Sequence, residues 1–210
     1  MDELNELGYN IEVEDITEYF SKMDLTDEQK EEREKLADKL KNYLLIFLNL
    51  VAIQIEYEIY NREYLIDKLD TELRKILSES YVIDDYLNRY VNHFSSSYVD
   101  ITYLHLMKDE KKEWWTSEDR ATVTAEEESN GVVNYVDYTR AKELGYTKKK
   151  WITEKDERVR KTHRPLNNKV IDIDKPFQVG NSLMLFPKDT SYFASEREIA
   201  NCRCTCKYIK

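Results

Sequence analysis

One histidine and three closely spaced cysteines near the carboxyl end are the residues of this sequence best suited to binding a metal. They are His163, Cys202, Cys204 and Cys206. Thiolate and imidazole groups are the ligands that structural Zn²⁺ favours, and a small module with little core gains folding free energy from such an ion. One interpretation of these residues is therefore a single structural zinc. Its first three ligands would be His163, Cys202 and Cys204, and the candidates for the fourth are Cys206 and Asp156.

A site without a metal fits the same residues. Cys-x-Cys is shorter than the usual Cys-x₂₋₄-Cys zinc chelate, and alternate residues of a straight strand lie about 6.5–7 Å apart, too far to share one ion without a bend. Cysteine is also among the most frequently buried residue types. In this second interpretation the cysteines pack beneath His163, whose ring is held by Asp156 or by a backbone carbonyl, and the protein has no cofactor.

The patterns that catalysis requires do not stand out in the sequence. A chain with four glycines has no phosphate-cradling glycine loop, and neither a paired-carboxylate site nor a nucleophile–base pair is visible. The carboxylates available to a nuclease near His163 are Asp156, Asp172 and Asp174, of which the last two are expected at exposed strand ends. We predict a non-enzyme without a small-molecule substrate. A metal- or His-dependent nuclease or toxin-type enzyme, and a helical adaptor protein, remain as alternatives.

Charge is distributed unevenly along the chain. The sequence holds 32 Lys and Arg against 42 Asp and Glu, but residues 140–210 carry a net charge of +8 and residues 1–139 a net charge of −18. An acidic segment avoids nucleic acid, whereas a modestly basic one contacts it weakly and in a salt-sensitive way. Any DNA contact is therefore expected to be weak and confined to the basic 140–210 segment.

No segment predicts membrane insertion or export. The longest apolar run, Tyr43–Ile53, is well short of the roughly 20 residues that span a bilayer. Residues Met1–Gly8 lack the basic and apolar regions of a signal peptide. Clustered cysteines of this kind are typical of reduced thiols or metal ligands and not of a disulfide framework. The sequence thus predicts folding in a cytosolic compartment, with no membrane partner.

Helical patterns dominate the first two thirds of the chain. Thr26 and Gln29 form a capping-box pattern at the start of a long helix, and Gly145 is placed as the C-cap glycine of another. Helices are expected near 26–60, 62–78, 80–107 and 118–144. Apolar residues recur at helical spacing within these segments, which indicates packing of helix against helix.

The last third predicts a short helix followed by strands. Thr153 is expected to cap a helix of about three turns at most, with Asp156, Arg160 and His163 on one face. An ion pair between Asp156 and Arg160 would stabilise it. A turn at residues 166–169 is expected to lead into a strand. Further elements are expected as extended segments at 170–173, 181–186 and 202–208 and a helix at 191–200, with the three cysteines on one face of the last strand.

Together these elements predict an α+β protein. A mainly helical amino-terminal part with long helices precedes a small mixed α/β carboxyl-terminal module. The predicted division is an acidic arm at 1–25, a helical domain at 26–117, and the module with its lead-in helix at 118–210.

The module also carries an ordered series of motifs. The series consists of Lys148-Lys149-Lys150-Trp151, Thr153-x-x-Asp156-x-Arg158-Val159-Arg160-x-x-His163, Leu166, Lys175-Pro176-Phe177, Phe186-Pro187 and Asn201-Cys202-Arg203-Cys204. Over residues 118–206 this order resembles the phage head morphogenesis proteins, also called Mu F-like minor capsid proteins. The chain departs from the family pattern at Asn168, where the family usually has Gly, and in having Cys206.

The resemblance implies a minor virion protein inside the head. It implies association with the portal and with other capsid or scaffold proteins during procapsid assembly, presence in the host cytoplasm at that stage, and exit with the DNA. Members of this family are not generally catalysts. The residues expected to hold the module together are Trp151, Asp156, Arg160, His163 and Phe177.

Overall fold

The computed structural model of the 210-residue chain describes residues 19–108, 111–154 and 156–210. In these ranges the helices are α1 (Asp27–Glu56), α2 (Arg62–Ser78), α3 (Asp85–Met107), α4 (Lys112–Trp115), α5 (Glu118–Glu143) and α6 (Glu196–Ile199). The strands are β1 (Lys148–Ile152), β2 (Val170–Asp172), β3 (Phe177–Val179), β4 (Ser182–Met184) and β5 (Thr205–Ile209), and a 3₁₀ helix spans Arg164–Leu166. The predicted α+β class is confirmed. Of the predicted acidic arm, residues 1–18 lie outside the described ranges.

Backbone contacts group the chain into two compact units. In the described part, the first unit contains residues 19–34 and 127–210, and the second contains residues 35–126. The first unit is therefore discontinuous in sequence, because the whole second unit is inserted between its two segments. The predicted division at residues 25 and 117 stays a prediction.

Local side-chain caps set where the helices begin. The N–H of Gln29 donates to Oγ1 of Thr26 at 3.2 Å, and the N–H of Thr26 donates to Oε1 of Gln29 at 3.1 Å. The predicted capping box is therefore confirmed. Helix α3 begins at Asp85, later than predicted, because Oδ1 of Asp84 accepts the N–H of Leu87 at 3.0 Å and fixes the N-cap there.

Helix α5 ends at the predicted glycine. The N–H of Tyr146 donates to the carbonyl of Ala141, and the N–H of Gly145 donates to that of Lys142, both at 3.0 Å. These two bonds form a Schellman motif, which requires a left-handed residue, and Gly145 has a φ of +75°. The chain leaves the helix here and enters β1.

The second unit has an apolar core formed by helix faces. Its buried side chains include Leu40, Leu44, Phe47, Leu48, Val51, Leu65, Leu69, Leu73, Leu87, Val91 and Val99. The first turn of α5 joins this core through Arg120, which donates to Oγ1 of Thr102 at 2.7 Å. Its guanidinium also lies over the rings of Tyr98 and Trp115, at 4.5 and 4.4 Å from their centroids. A buried arginine is stabilised here by acceptors and aromatic faces together.

The longest apolar run, Tyr43–Ile53, lies inside α1. Phe47, Leu48 and Val51 of this run are buried in the protein core. Among the helices that the structure describes, none is both long enough and apolar enough to cross a membrane.

Two small antiparallel sheets belong to the first unit. Strand β1 is central in the order β2-β1-β5, and β3 pairs with β4. The register places Trp151 of β1 opposite Cys206 of β5. Before β2, the N–H of Asn168 donates to the carbonyl of Trp151 at 2.8 Å. Asn168 has a φ of +63°, a conformation that Asn tolerates better than most residues, so the predicted turn is confirmed.

Two predicted elements of the module are wrong. Residues 156–163 form turns and bends instead of a helix. The Arg164 guanidinium donates to the carbonyls of Val159 and Glu157, at 2.8 and 2.7 Å, and thereby occupies acceptors that a helix would use. The last strand begins at Thr205, so the first two cysteines precede it and the three do not share one strand face.

Candidate metal site

His163 lies in the interior of the first unit, immediately before the 3₁₀ helix. Its N–H donates to the carbonyl of Arg160 at 3.0 Å, and its own carbonyl accepts the N–H of Leu166 at 2.9 Å. Trp151 of β1 packs edge-on against the imidazole, with ring centroids 5.7 Å apart. Only 1% of His163 is exposed. The strand and the turn together hold the ring in one orientation.

Cys202 and Cys204 lie in the irregular segment between α6 and β5. Helix α5 holds this segment through Glu127, Asn130 and Asn134, which share one helical face. Nδ2 of Asn130 donates to the carbonyl of Cys202 at 3.1 Å, and Nδ2 of Asn134 donates to that of Cys204 at 3.0 Å. Glu127 accepts the backbone N–H just before Cys202. Contacts to the backbone therefore position the two thiols.

A buried arginine from the amino-terminal segment orients the same two amides. Arg33 is fully buried and donates from Nε to Oδ1 of Asn130 and from Nη2 to Oδ1 of Asn134, both at 3.1 Å. Nη2 also lies 3.1 Å from Oδ2 of Asp137. Because each amide oxygen accepts from the guanidinium, each amide nitrogen has to face the cysteine carbonyls. We call these four residues, Arg33, Asn130, Asn134 and Asp137, the Arg33 network.

The spacing of the three donors suits zinc. Among the described residues, His163, Cys202 and Cys204 form a group whose ligand atoms all lie within 4.8 Å of one another. Nδ1 of the histidine is 3.5 Å from Sγ of Cys204 and 3.7 Å from Sγ of Cys202. A tetrahedral zinc with ordinary bond lengths places its nitrogen and sulfur ligands about 3.5 Å apart. The donors therefore fit this ion in both chemistry and geometry.

The other ring nitrogen of His163 is held by a carboxylate. Nε2 lies 3.0 Å from Oε2 of Glu198, which also accepts the hydroxyl of Thr162 at 2.7 Å. A carboxylate in this position keeps a proton on Nε2 and leaves Nδ1 as the metal-binding atom. The backbone at Gly180 approaches closely, because a Cβ there would lie 2.6 Å from Oε1 of Glu198.

The charges in the group favour one thiolate. The hydrogen bond from Cys204 lowers the pKa of Cys202, burial opposes this shift, and the charge of His163 adds to it. That hydrogen bond and burial raise the pKa of Cys204. Burial disfavours the imidazolium, but the Cys202 sulfur and Glu198 outweigh it, so the pKa of His163 is raised. Since the thiolate is the form of cysteine that binds metals, Cys202 is prepared for a cation.

A small cavity adjoins the three donors. Its volume is about 20 Å³, and its lining includes Glu154, Arg160 and Arg203 besides the donors themselves. One water molecule needs about 10–15 Å³, so the cavity accommodates a water-sized group and no substrate molecule. Oε2 of Glu154 is buried without a hydrogen-bond partner among the described residues. Burial raises the pKa of Glu154 to about 7.

The apolar core of the module contains several residues singled out from the sequence, namely Trp151, Leu166, Phe177 and Cys206 together with Cys202 and Cys204. The rings of Trp151 and Phe177 meet edge to face with centroids 5.1 Å apart. Burial raises the pKa of Cys206, so this thiol is neutral. Cys206 is outside the group within 4.8 Å, and its role as a ligand stays a prediction.

Asp156 and Arg160 are half-buried beside the site. Asp156 pairs with Arg203 at 2.6 Å, and Arg160 donates to the carbonyl of Ala200. Both contacts tie the turn before the histidine to the cysteine segment. The two residues connect parts of the module, although not through the helix that the sequence predicted.

Cys202, His163 and Glu198 also have the order of thiol, imidazole and carboxylate that activates cysteine nucleophiles. Sequence spacing did not reveal this set, because the histidine and the glutamate are 35 residues apart. Cys202 is 1% exposed, and the adjoining cavity is too small for a substrate. The arrangement therefore suits a metal ligand better than a nucleophile.

Sequence reasoning also missed the polar face of α5. Glu127, Asn130, Asn134 and Asp137 follow one another at helical spacing, and the first three are buried. A row of polar residues on one face, among buried valines, was the available signal. Glu154 and Glu198 had no comparable signal, because their roles depend on turns that no local pattern specifies.

A comparison with known families covers the site directly. Residues 101–207, which contain the three donors and most of the first unit, match the family described as phage Mu protein F like protein. The chain belongs to this family. The resemblance found in the motifs of residues 118–206 is thereby confirmed. Membership in the Mu F-like family supports a role in phage head morphogenesis, as a structural protein of the virion.

A curated relative of this Mu F-like chain is the NAD(+)–arginine ADP-ribosyltransferase EFV of Enterococcus faecalis (strain ATCC 700802 / V583). The two are 41% identical over 70 residues, which cover 32% of this chain and 14% of the relative. The chain thus matches a small fraction of that protein's length. No solved structure matches the chain.

Proposed function

We propose that this Mu F-like protein is a minor head protein that lies inside the capsid, joins the portal during procapsid assembly and leaves with the DNA. The family match over residues 101–207 carries the proposal. The uneven charge supports it, because an acidic segment of net −18 and a basic segment of net +8 offer surfaces to different partners. Assembly takes place in the host cytoplasm, and the protein then stays in the head until the DNA leaves.

Co-expression with the portal and scaffold proteins of the same phage tests this role. Assemblies are separated by sedimentation and their protein content is measured. We expect the protein in fractions that hold portal rings and in complete procapsids, but not in procapsids assembled without portal. Equal incorporation without portal would contradict the portal association, and exclusion from both kinds of particle would contradict the head function.

We further propose that His163, Cys202 and Cys204 bind one structural Zn²⁺. The spacing of the donors, the carboxylate behind the imidazole and the small adjoining cavity support a structural ion. Zinc that binds only the folded state stabilises it by about 4 kcal/mol at a free concentration 1,000 times Kd. Elemental analysis should find one zinc per chain, and a chelator should lower the melting temperature. Absence of zinc, together with a melting temperature that the chelator does not change, would contradict the proposed site.

Weak DNA contact is proposed for the basic 140–210 segment. Exposed basic side chains there include Lys161, Lys169 and Lys175. Titration with duplex DNA should show binding at 50 mM salt that is largely lost at 200 mM, as expected of phosphate contacts. The K161E/K169E variant should bind less, whereas the control K108E, in the acidic part, should not. Absence of DNA binding at 50 mM salt would contradict the proposed contact.

Catalysis is the competing function, because the curated relative is named for ADP-ribosyl transfer and because a thiol, an imidazole and a carboxylate meet at the site. We propose that this chain has no such activity. Incubation with NAD⁺ and an arginine-containing acceptor should transfer nothing, and Cys202 should resist iodoacetamide in the native protein. Transfer to arginine, or rapid alkylation of Cys202, would favour an enzyme.

A further inference from the structure

We infer that Glu154 is the fourth ligand of the zinc site. The inference rests on the proposed binding of zinc by His163, Cys202 and Cys204, and adds the residue that closes the coordination. Structural zinc sites are almost always bound by four protein ligands, whereas an open fourth position belongs to catalytic sites. The group supplies three donors. The fourth has to come from a side chain that reaches the adjoining cavity.

Glu154 is such a side chain. It lines the same cavity as the three donors, and its Oε2 atom is buried with no hydrogen-bond partner in the described part of the chain. A buried polar atom without a partner costs free energy, which a metal bond would remove. The carboxylate is not within the 4.8 Å group, so the side chain has to rotate into the cavity to bind. A cavity of about 20 Å³ leaves room for that one group.

The other nearby carboxylates are already engaged. Oδ1 of Asp156 accepts the N–H of Arg158 at 3.1 Å, and its Oδ2 pairs with Arg203 at 2.6 Å. Glu198 binds Nε2 of His163, on the edge of the ring opposite the sulfurs. Ligation by either residue would break contacts that position the site. Glu154 loses no observed hydrogen bond from Oε2 by turning toward the metal.

The remaining thiol is poorly placed. Cys206 lies in β5 opposite Trp151 and packs into the apolar core of the module. Cys206 is outside the group within 4.8 Å and is not among the residues that line the adjoining cavity, whereas Glu154 lines it. Pairing with β1 over five consecutive residues also restrains the backbone of Cys206. Glu154 is therefore the better placed of the two donors.

Charge around the cavity agrees with a carboxylate ligand. Zinc bound by two thiolates, one neutral imidazole and one carboxylate has a net charge of one negative unit. Arg160 and Arg203 line the same cavity and offset that charge. With a water molecule in the fourth position, the site would be neutral, and Arg160 would face an uncharged centre, whereas Arg203 is already paired with Asp156.

Zinc affinity of the full-length chain under reducing conditions tests the inference. Kd is measured by competition with a chromogenic chelator for the wild type and for E154Q, which keeps the size of the side chain and removes its charge. We expect one zinc per wild-type chain and an affinity at least about tenfold weaker in E154Q. The matched control E157Q, at an exposed glutamate on the same turn that does not line the cavity, should leave binding unchanged.

The outcomes distinguish ligation by Glu154 from zinc binding by the other three donors. Zinc binding by the wild type with equal affinity in E154Q would overturn Glu154 as ligand, whereas no zinc in the wild type would overturn the site itself. X-ray absorption of the wild-type zinc protein is independent of whether a variant folds. It should show two sulfur and two nitrogen or oxygen ligands. Three sulfurs, with weaker binding in C206S, would assign the fourth position to Cys206 instead.

Discussion

Arg33 donates a 3.1 Å hydrogen bond to Asn134, although 101 residues separate them in sequence. Through this contact, a side chain outside the family match fixes the amide that holds the Cys204 carbonyl. The Mu F-like region therefore depends on residues that precede it. The Arg33 network is the part of the first unit in which this dependence can be measured.

Replacement of Arg33 by Met is expected to lower the free energy of unfolding by about 3–5 kcal/mol, because it leaves one member of a buried ion pair without its partner. Burial already raises the pKa of Asp137 despite the neighbouring guanidinium. Urea unfolding measures the change. The double variant R33M/D137L should recover part of the loss. The control K39Q removes an exposed ion pair with Glu79, away from the network, and should cost about 0–1 kcal/mol. An R33M effect no larger than this would refute the network's role.

A chain reduced to residues 101–210 is expected to lack a stable module. It would miss Arg33 and the buried side chains of Phe20 and Met23. Dispersion of amide resonances in a proton–nitrogen correlation spectrum distinguishes a folded from an unfolded module. Residues 19–34 joined by a flexible linker to 127–210 should restore that dispersion. Equal dispersion in the shorter chain would show that the amino-terminal segment is dispensable.

Gly180→Ala should weaken zinc binding as well as folding. Gly180 has a φ of +56°, and an added Cβ would lie 2.6 Å from Oε1 of Glu198 and 3.0 Å from Cγ2 of Thr162. Displacement of the carboxylate would release the imidazole, and loss of such a partner typically costs about 10–100-fold in metal affinity.

The control for this substitution is Gly145→Ala. Gly145 also has a positive φ, but a Cβ there meets no atom within 4 Å. It should lose about 1–2 kcal/mol of stability through backbone strain and leave zinc affinity unchanged. Chelator competition on both variants separates strain from the effect on the site. Similar zinc affinities in the two would mean that Glu198 does not orient the histidine.

Glu126→Gln is expected to stabilise the protein at high pH and to have little effect near pH 4. Burial raises the pKa of Glu126 to about 8, the charge of Lys41 lowers it by a smaller amount, and the charge of Asp38 raises it slightly further. Between its usual value and about 8 the folded state holds a proton that the unfolded state releases, so stability falls as pH rises. The full penalty is present above pH 8, and glutamine avoids it.

Thermal melts at pH 4, 7 and 9 compare the stability of the wild type with that of the Glu126→Gln variant. The gain in E126Q should increase with pH and reach about 1 kcal/mol or more. Glu118→Gln provides a control of opposite sign, because the hydrogen bond from Lys41 lowers the pKa of Glu118. That variant should lose a little stability at neutral pH and none in acid. A pH-independent effect of E126Q would argue against a buried, protonated carboxyl.

The long helices could be predicted because their signals are local. Thr26 with Gln29, and Gly145 after α5, satisfy backbone groups within one turn, so the pattern needs no knowledge of distant residues. The turn at Asn168 is predictable for the same reason. Its backbone conformation is a property of the residue and its neighbours.

The site was only partly predictable. Residue type alone indicated His163, Cys202 and Cys204 as metal-binding residues, but the bend that brings the sulfurs together depends on amides from α5. The helix expected after Thr153 does not form, because the Arg164 side chain binds the carbonyls it would need. Interactions between segments decide these features, and a single sequence does not specify them locally.

Insertion of residues 35–126 into the first unit sets an order of events during translation. Residues 19–34 leave the ribosome before the second unit, yet Phe20, Met23 and Arg33 become buried only after residues 127–210 have been made. The second unit can close as soon as residue 126 has emerged. Throughout that interval the nascent chain exposes two apolar side chains and an arginine whose acceptors on Asn130, Asn134 and Asp137 have not yet been made. Residues 127–210, which include the thiols, end this exposure, so a chaperone can bind before the cysteines have been made.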